Sequence, residues 1–508
     1  MSLTSILSWA LRSRVERIER FKKDPLGVQK AQLSELVRKG KRTQWGKEHE
    51  LGRVKGPEDF RDRIPLSDYE GLKPYIERTM KGEKDVLWPG RVRWFAMSSG
   101  TTADRSKYIP VTPASLKDCH YKGGKDMVAL YLHQNSDSNL YQGKSLVLGG
   151  SSQVSRMGSN AKVGDLSSVL IEKLPFWADL RRTPGRSVAL MEDWESKIDK
   201  MARITMKEKV TNIAGVPSWT LVLLKRILSL TGHSNILDVW PELELFMHGG
   251  VSFSPYEEQF KKLIPDPKMR YVQNYNASEG FFSVQDRSEA EDMLLMLDYG
   301  IFYEFIPLEE IHKEDPRILP LQEVETGGDY ALVITTNGGL WRYMIGDTVR
   351  FTNTFPFRIQ VSGRTKHFIN TFGEELIIDN AEKALRKACR ATDAALEEYT
   401  GGPVYMDTST AGTHEWLLEF ETYPSDLEKF RDRLDEALTE VNSDYAAKRS
   451  YDLTLRKPIL HALPKGAFYT WMKERGKLGG QNKVPRLANH REYLEGILER
   501  FHPIDSIR

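Results

Sequence analysis

The sequence predicts an α/β protein with a large amino-terminal lobe, in which helices flank β-sheets, and a smaller carboxy-terminal α+β lobe. Its 508 residues, 40% of them hydrophobic, can bury several cores, since domains span roughly 100 to 200 residues. Strand-like and helix-like segments alternate through most of the chain, as in α/β layers. From about residue 380 the composition changes to charged, amphipathic helices. These three observations define the two lobes.

Several segments of the large lobe are predicted strands, because each is a run of β-branched or aromatic residues that ends in Gly, Asn or Thr. They are KSLVLGG (144–150), ELFMHGG (244–250), MRYVQNYNASEG (269–280), YALVITT (330–336) and RFTNTF (350–355). Between them, an apolar period of helical type predicts helices over 192–210 and 218–230.

The small lobe is predicted from two charged amphipathic stretches around a short strand. The stretches DNAEKALRKACRATDAALEEY and PSDLEKFRDRLDEALTEVNSDYAAK predict helices, and EWLLEFETY (415–423) predicts the strand. We therefore expect domains at 1–363 and 364–508, with a hinge at about residues 362–372.

Composition and charge exclude several kinds of partner. Lys and Arg total 73 against 71 acidic residues, so a net charge of +2 offers no field for nucleic acid or an anionic membrane. No apolar run approaches the ~18 residues of a transmembrane helix, and Glu16 and Glu19 make the first segment an ordinary surface helix. Cys119 and Cys389 form no zinc-binding pattern, which indicates a reducing compartment, by default the cytoplasm.

The stretch WFAMSSGTTADRSKYIP (94–110) contains an unusual density of hydrogen-bond donors. Its first residues fit a strand, so Ser98 to Ser106 are expected to form a loop at the usual ligand position of an open α/β sheet. Backbone N–H groups beside Gly100, several hydroxyls and the charge of Lys107 suit a triphosphate. A Ser/Thr-rich surface turn is the alternative interpretation.

The same stretch does not match a P-loop. The Walker pattern GxxxxGK[ST] leads directly into a helix, whereas here Lys107 precedes another apolar segment. Thr112 and Pro113 are a typical N-cap and first helical residue, so the next helix is expected to begin there.

Two further stretches place a carboxylate beside a glycine at a predicted strand end. In YNASEG (275–280), Tyr275 can stack on a base and Glu279 can bind a hard divalent cation. In LWRYMIGDTVRF (340–351), Gly346 permits a close turn and Asp347 can accept hydrogen bonds from both hydroxyls of a ribose. A carboxylate in a local cap is the alternative for each.

Taken together, these motifs resemble the Gretchen Hagen auxin-responsive acyl acid-amido synthetases, a branch of the adenylate-forming superfamily with acyl-CoA synthetases and luciferases. The resemblance covers nearly the whole chain and is closer to prokaryotic members than to plant ones. It is carried by SSGTTADRSKYIP, LGGSSQ, GDLSSVL, GVPSW, HGGVSFSP, YNASEGFF, YALVITTNGGLWRYMIGDTVRF, VSGRTKHFINTFGEEL and GGQNKVPR. It implies a luciferase-like fold and an ATP- and Mg²⁺-dependent carbon–nitrogen ligase. Such enzymes convert a small carboxylic acid to an acyl-adenylate with release of pyrophosphate, then transfer the acyl group to an amino-acid amine.

The resemblance also implies roles for individual residues. The nucleotide-binding set would be Ser98, Ser99, Gly100, Thr101, Thr102 and Lys107 around the triphosphate, Gly250, Val251, Tyr275, Asn276 and Ala277 around adenine, Ser278 at the α-phosphate, and Asp347 and Arg364 at the ribose. Glu279 would bind magnesium. Asn276 would read the exocyclic amine of adenine.

Two lysines of the carboxy-terminal part have implied roles in the reaction. Lys366 in SGRTK would be the pivot of the small lobe, and Lys483 in GGQNKVPR would be the lysine that attracts the α-phosphate and acyl oxygens, with Lys477 as the alternative. Asp104 departs from the pattern, because many relatives have glycine there, and it is expected to face solvent or to pair with Arg105.

The sequence predicts the acyl pocket less specifically than the nucleotide-binding residues. Val216, Trp219, Phe281 and Phe282 are candidate apolar walls, although each is equally compatible with the core. His248 is a candidate proton acceptor, and a structural histidine is its alternative.

Two other function classes also stay open: a ligase with a thiol acceptor, and a non-catalytic sensor of nucleotides or small acids. Resemblance to the amide-forming branch favours the amine, and the intact Lys107, Glu279, Asp347 and Lys483 argue against a sensor.

Overall fold

The structure is a computed structural model of the chain. It describes all residues except 1–2, 99–106, 150–154, 158–160, 192, 251–252, 254–255, 289, 312, 366–367, 370–375, 405–411, 443–444, 447–448, 450–454, 479–482, 489 and 508. Within the described part, none of the helices is long and apolar enough to cross a membrane.

The chain alternates helices and strands over its whole length. The helices are α1 (Leu3–Lys23), α2 (Pro25–Gly40), α3 (Gln44–Glu48), α4 (Pro57–Arg63), α5 (Tyr69–Met80), α6 (Pro113–Ser115), α7 (Tyr121–Gln134), α8 (Leu166–Glu172), α9 (Phe176–Asp179), α10 (Arg186–Ala189), α11 (Trp194–Thr205), α12 (Pro217–Thr231), α13 (Glu257–Leu263), α14 (Ile378–Ala391), α15 (Leu427–Val441), α16 (Ala467–Glu474) and α17 (Glu492–Leu498). A π-helical turn, Leu116–His120, joins α6 to α7, and short 3-10 turns occupy Leu51–Arg53, Leu140–Gln142, Ile236–Asp238, Leu308–Glu310 and Leu321–Glu323.

The strands are β1 (Trp94–Ser98), β2 (Lys107–Val111), β3 (Lys144–Leu148), β4 (Ser155–Met157), β5 (Ala161–Gly164), β6 (Arg182–Thr183), β7 (Val210–Gly215), β8 (Leu245–Gly249), β9 (Arg270–Ala277), β10 (Gly280–Val284), β11 (Met293–Leu295), β12 (Ile301–Pro307), β13 (Leu319–Pro320), β14 (Asp329–Thr336), β15 (Tyr343–Thr354), β16 (Phe357–Arg364), β17 (Phe368–Ile369), β18 (Leu376–Ile377), β19 (Ala395–Val404), β20 (Thr413–Thr422), β21 (Ile459–Leu463) and β22 (Asp505–Ile507). The predicted α/β class is confirmed.

A twelve-stranded sheet forms the centre of the large lobe. Its strand order is β13-β12-β14-β15-β16-β11-β10-β9-β8-β7-β3-β6. The strands β3, β7, β8 and β9 are parallel neighbours, whereas β9 to β16 pair antiparallel. The sheet therefore has a parallel half, whose strand ends suit a ligand site, joined to an antiparallel half.

The two strands that flank the predicted phosphate loop belong to a separate four-stranded sheet with the order β2-β1-β5-β4. Its strands β1 and β2 form an antiparallel hairpin in which Ser98 pairs with Lys107. Ser98 and Lys107 therefore lie at the ends of strands in this small sheet and not in the large one, while residues 99–106, which were predicted to form the loop, lie outside the described residues. The N-cap prediction is confirmed, since the Thr112 hydroxyl accepts a hydrogen bond from the N–H of Ser115 at the start of α6.

The strands and helices predicted for the large lobe are all present, with ends shifted by a few residues. One prediction for the small lobe is wrong: the stretch assigned to a single helix ends at Ala391, and Ala395–Val404 form β19 instead. Asp393 has φ 51°, a left-handed backbone that breaks the helical repeat. Pairing with β20 then holds the next ten residues extended.

Separate apolar cores underlie the two lobes. One core spreads from Ile18 to Ile359 around the antiparallel half of the large sheet, and another packs α11 and α12 against its parallel half. The small lobe has its own core, which runs from Ile369 to Leu487. The domain boundary at residue 363/364 stays a prediction. The hinge residue Lys366 lies outside the described residues.

Candidate active site

The parallel strands of the large sheet end at a common edge. Leu148 pairs with Gly215, Gly215 with His248, and Gly249 with Asn274. The residues that follow these strand ends therefore lie side by side. Val216, Gly250 and the turn after β9 belong to this edge, which is where α/β sheets bind ligands.

Ser278 and Glu279 form the two-residue turn between β9 and β10. Ala277 pairs with Gly280 across the hairpin, and both turn residues are buried. A Cβ atom on Gly280 would lie 2.8 Å from Cδ1 of Ile301, so glycine lets the hairpin pack closely against the sheet. This packing holds the carboxylate of Glu279 at the edge where the parallel strands end.

Asp347 lies at an irregularity in β15, after Gly346 with φ 90°. Its carboxylate is buried, and Oδ2 accepts a hydrogen bond of 2.6 Å from the hydroxyl of Tyr275. Arg364 is its backbone partner in β16. The structure therefore brings two predicted nucleotide residues from distant parts of the sequence into direct contact.

A tyrosine pair connects this carboxylate region to Lys107. Nζ of Lys107 lies 5.7 Å from the ring centre of Tyr69, within cation–π range, and the Tyr69 hydroxyl accepts a hydrogen bond from the N–H of Tyr108. Burial, and then the charge of Glu279 and the neighbouring Tyr69, raise the pKa of Tyr343 well above its ordinary value. The base of the β1–β2 hairpin therefore lies on the same side as Glu279.

Lys483 of the small lobe reaches the glycine edge of the large sheet. A Cβ atom on Gly250 would lie 3.4 Å from Nζ of Lys483 and 3.5 Å from Cγ2 of Val216. Gly250 has φ 84°, a conformation that favours glycine. The segment after Lys483 is fixed to the small lobe, because Gly401 and Arg486 share a backbone hydrogen bond. Lys483 is therefore the candidate lysine with an observed position at this edge.

Polar contacts join the small lobe to α11, to α12 and to Tyr256 at the start of α13. Nη2 of Arg486 donates to the hydroxyl of Tyr256 at 2.7 Å, and Lys225 and Glu421 pair at 2.7 Å. Lys473 pairs with Glu195 at 2.8 Å. These contacts fix the lobe in the position that brings Lys483 to Gly250.

The four candidate acyl-pocket walls have different surroundings. Phe281 and Phe282 are buried, and α7 approaches so closely that a Cβ atom on Gly123 would lie 2.5 Å from the Phe281 ring. Trp219 packs at the margin of the core beneath α12, and Val216 lies beside Gly250. Packing is therefore the observed role of the two phenylalanines, and their role as pocket walls stays a prediction.

Asn276 points away from the face that carries Tyr275, since successive side chains of a strand alternate. Its side chain approaches His120 in the π-helical turn; burial lowers the pKa of His120 to about 4, and the contact with Asn276 opposes this effect. The role of Asn276 as a reader of adenine stays a prediction. Its observed neighbour is a buried, neutral histidine.

His248 is a structural histidine. Its ring stacks on Phe253 with 4.2 Å between centroids and lies 5.2 Å from Phe246. Burial lowers its pKa to about 3, so it holds no proton at neutral pH and is a poor base. The alternative interpretation of this residue fits the structure better than a role as proton acceptor.

The sequence did not single out Lys197 or Tyr343. Nζ of Lys197, on α11, donates to the carbonyl oxygen of Gly149 at 3.0 Å, just after β3, and burial lowers its pKa to about 8. A lysine inside a charged helix gives no sequence signal that its ammonium will be buried against the end of a strand. Tyr343, four residues before Asp347, had a positional signal in YMIGD.

Several predicted residues lie outside the described part of the chain: Ser99, Gly100, Thr101, Thr102, Asp104, Val251 and Lys366. Of the rest, Tyr275 and Asp347 are in contact, as are the Gly250 backbone, Val216 and Lys483. Glu279 lies close to Tyr343. Strand pairing sets Ser98 opposite Lys107, Phe281 opposite Asn276 and Arg364 opposite Asp347, and Trp219 lies on α12.

The donor set suits a magnesium ion that arrives with ATP. Among the described residues, no group of three or more His, Cys, Asp or Glu side chains converges to hold a metal. Mg²⁺ is commonly bound by one or two carboxylates together with substrate phosphates. A single buried carboxylate, Glu279, at the turn between β9 and β10 fits this mode and does not fit a zinc site.

Comparison with protein families gives three consecutive matches. Residues 14–269 match the GH3 family N-terminal domain, residues 294–364 the GH3 family central domain, and residues 379–492 the GH3 family C-terminal domain.

Curated relatives and solved structures agree with these matches. The chain is 23% identical to indole-3-acetic acid-amido synthetase GH3.3 of Arabidopsis thaliana, over 92% of this chain and 90% of the relative. It is 24% identical to jasmonoyl–L-amino acid synthetase GH3.5 of Oryza sativa subsp. japonica, over 94% of each. The solved structure of the AtGH3.15 acyl acid amido synthetase in complex with 2,4-DB superposes with a TM-score of 0.81 and 17% identity, over 98% of this chain and 97% of that one. A 2-hydroxyisobutyryl-CoA ligase gives a TM-score of 0.60 at 13% identity, over 92% and 91%.

Proposed function

The chain belongs to the GH3 family, and from this premise we propose that it is an ATP-dependent acyl acid-amido synthetase. It joins a small carboxylic acid to the amine of an amino acid. The relatives named above act on indole-3-acetic acid and jasmonate, which are small carboxylic acids. We propose the same class of acid here, with an amino acid as acceptor, in the cytoplasm.

One observation carries the proposal: a lysine of the small lobe reaches the glycine edge at which the parallel strands end. Nζ of Lys483 lies 3.4 Å from the Cβ position of Gly250. The Ser278–Glu279 turn belongs to the same edge, and Tyr275 joins β9 to Asp347. A binding protein for a nucleotide needs no mobile cation at this point, whereas an enzyme that develops charge on a phosphate does.

The proposed first step forms the acyl-adenylate. A carboxylate oxygen of the acid attacks the α-phosphorus of ATP, the bond to the β-phosphate oxygen breaks, and pyrophosphate leaves with the electron pair. Lys483 would stabilise the charge that develops on the α-phosphate and the acyl oxygens. Lys107 and the loop from Ser98 to Thr102 would hold the leaving pyrophosphate, and Tyr275, Asp347 and Arg364 would hold the nucleoside.

In the second step the amine attacks the acyl carbonyl. The carbon–oxygen bond to AMP breaks, AMP leaves with the electron pair, and the ammonium proton passes to solvent or to AMP. Glu279 is the residue that would bind Mg²⁺, which when bound neutralises phosphate charge. Rotation of the small lobe about Lys366 would withdraw Lys483 and open the site to the amine.

The test is a measurement of pyrophosphate release over a panel of acids, with and without each amino acid, followed by mass spectrometry of the products. We expect an acid-dependent release and an amide product whose mass equals acid plus amino acid minus water. Coenzyme A is the matched alternative acceptor. A thioester formed in place of the amide would assign a thiol ligase, and no acid-dependent release would refute an adenylating enzyme.

A further inference from the structure

Tyr256 and Arg486 form a buried hydrogen bond between the two lobes. Nη2 of Arg486, in the small lobe, donates to the hydroxyl of Tyr256 at 2.7 Å. Tyr256 is the N-cap residue of α13 in the large lobe and is only 2% exposed. A hydrogen bond to a charged group is stronger than a neutral one, and a low local dielectric strengthens it further. This bond therefore differs from the partly exposed ion pairs that also join the lobes.

The two partners lie close in sequence to the residues that bring the lysine to the glycine edge. Tyr256 follows Gly250 by six residues, and Arg486 follows Lys483 by three. A Cβ atom on Gly250 would lie 3.4 Å from Nζ of Lys483. Residues 250 and 256 of one lobe therefore meet residues 483 and 486 of the other at two points. Two contacts set the orientation of the lysine as well as its distance, and a catalytic group needs both.

Arg486 is fixed within the small lobe by several contacts of its own. Its guanidinium pairs with Glu398 and lies 4.6 Å from the ring centre of Tyr399, within cation–π range. Its carbonyl oxygen accepts a hydrogen bond of 2.9 Å from the N–H of Gly401 in β19. The position of this guanidinium therefore determines the position of the backbone segment that carries Lys483.

Tyr256 is fixed within the large lobe in the same way. Its N–H donates to the carbonyl of Phe253 at 2.8 Å, and its carbonyl accepts from the N–H of Phe260 at 3.1 Å. Its ring belongs to the core that packs α11 and α12 against the parallel half of the large sheet. Because both partners are held before they meet, their contact costs little conformational freedom and has a defined geometry.

We propose that Tyr256 is a positioning residue for adenylation: its hydroxyl accepts the hydrogen bond of Arg486 when the small lobe is docked and thereby holds Lys483 at the glycine edge. The inference rests on the proposed function, since it takes Lys483 as the cation of the first step. Tyr256 acts through Arg486 and is not itself a catalytic residue. The bond would break when the lobe rotates for the second step, so its removal should slow adenylation and not aminolysis.

The kinetic test is the Tyr256→Phe variant, measured in single turnovers of each half-reaction. We expect acyl-adenylate formation to slow by about 10-fold, because a hydrogen bond to a charged group is lost. Aminolysis of a synthetic acyl-adenylate should keep its wild-type rate. In a Lys483→Met background the same substitution should slow adenylation no further, since there is no lysine left to position. A wild-type rate of adenylation in Tyr256→Phe, or an equal further loss in the Lys483→Met background, would overturn the proposal.

Tyr271→Phe is the matched control. Tyr271 packs against the same core, with its ring centre 5.0 Å from that of Phe253. Its buried hydroxyl has no hydrogen-bond partner among the described residues. This variant should keep the wild-type rates of both half-reactions. A loss of adenylation as large as that of Tyr256→Phe would make the effect one of core packing and would also overturn the proposal.

A distance measurement separates this proposal from the proposed function. Nitroxide labels at Phe176→Cys in the large lobe and Ile504→Cys in the small lobe, both exposed positions, report the lobe arrangement by pulsed dipolar spectroscopy in a Cys389→Ala background. Tyr256→Phe should shift part of the population away from the main distance of the labelled parent, and an unchanged distribution would overturn the docking role. If the wild type releases no pyrophosphate with any acid, the enzyme proposal fails, and the distances still decide whether Tyr256 docks the lobe.

Discussion

Replacing Lys483 by Met tests whether the small lobe delivers the cation for adenylation. The ammonium lies 3.4 Å from the Cβ position of Gly250, and Lys483 is exposed, so its loss removes charge and leaves the core intact. A unit charge about 4 Å from a phosphate oxygen interacts with it by ~4 kcal/mol at an effective dielectric constant of about 20. Loss of one preorganised donor commonly costs about 2.7–4 kcal/mol. We therefore expect acyl-adenylate formation to slow by roughly 10²- to 10³-fold.

The assay separates the half-reactions in single turnovers. Formation of the adenylate is followed by quenching and chromatography, and aminolysis is followed after addition of a synthetic acyl-adenylate. Lys483→Met should slow the first reaction strongly and the second little, with an unchanged melting temperature. Lys477→Met is the matched control and should slow neither. Equal loss in both half-reactions, or a greater loss for Lys477→Met, would refute the assignment of Lys483.

Three further predictions follow from the geometry of the large lobe. Tyr275→Phe removes the 2.6 Å hydrogen bond to the buried Asp347. In denaturant titration we expect the free energy of unfolding to fall by about 1.5–3 kcal/mol, and in a kinetic assay we expect the KM for ATP to rise. Unchanged values of both would contradict a coupling between Tyr275 and Asp347. Gly280→Ala places a methyl group 2.8 Å from Cδ1 of Ile301. This overpacking should lower the free energy of unfolding by about 1–3 kcal/mol, which a thermal melt would measure. A melting temperature equal to that of the wild type would mean that the hairpin is not tightly packed. His248 has a pKa of about 3 when folded and about 6.5 when unfolded, so near and below pH 6.5 the unfolded chain binds a proton that the folded protein does not bind. The free energy of unfolding should therefore fall by about 1.6 kcal/mol between pH 6.5 and pH 5 through His248. His248→Phe should lack that part of the loss when unfolding is measured at both pH values.

The parts of the fold that were predictable from the sequence are those in which local pattern and final structure agree. The run 144–150 closes on two glycines and forms β3, and Thr112 with Pro113 begins α6. The helix at 379–391 was also expected, but its end was not, because the turn depends on the left-handed Asp393. The helical pattern of the sequence continues past Asp393, so it does not predict that Ala395–Val404 form β19, which pairing with β20 stabilises.

The candidate site was predictable to the extent that its residues lie in short motifs. Glu279 and Asp347 were identified beside glycines, and the structure connects their motifs through Tyr275. The sequence left Phe281 open as a pocket wall or a core residue, because its burial depends on how closely Gly123 of α7 approaches the hairpin.

The energetics of the lobe interface favour a small lobe that can move. Lys225 and Glu421 are each about one-third exposed, and Lys473 and Glu195 are each about half exposed. Exposed ion pairs of this kind contribute about 0–1 kcal/mol each, and inter-domain contacts of polar type commonly permit relative motion. Polar contacts as weak as these agree with the proposed movement of the small lobe, although Tyr469 and Leu478 also pack against the core of the large lobe. The proposed reaction needs a cation at the phosphate in the first step and away from it when the amine enters in the second. A small lobe held by weak contacts can make that movement, whereas a single rigid domain would not.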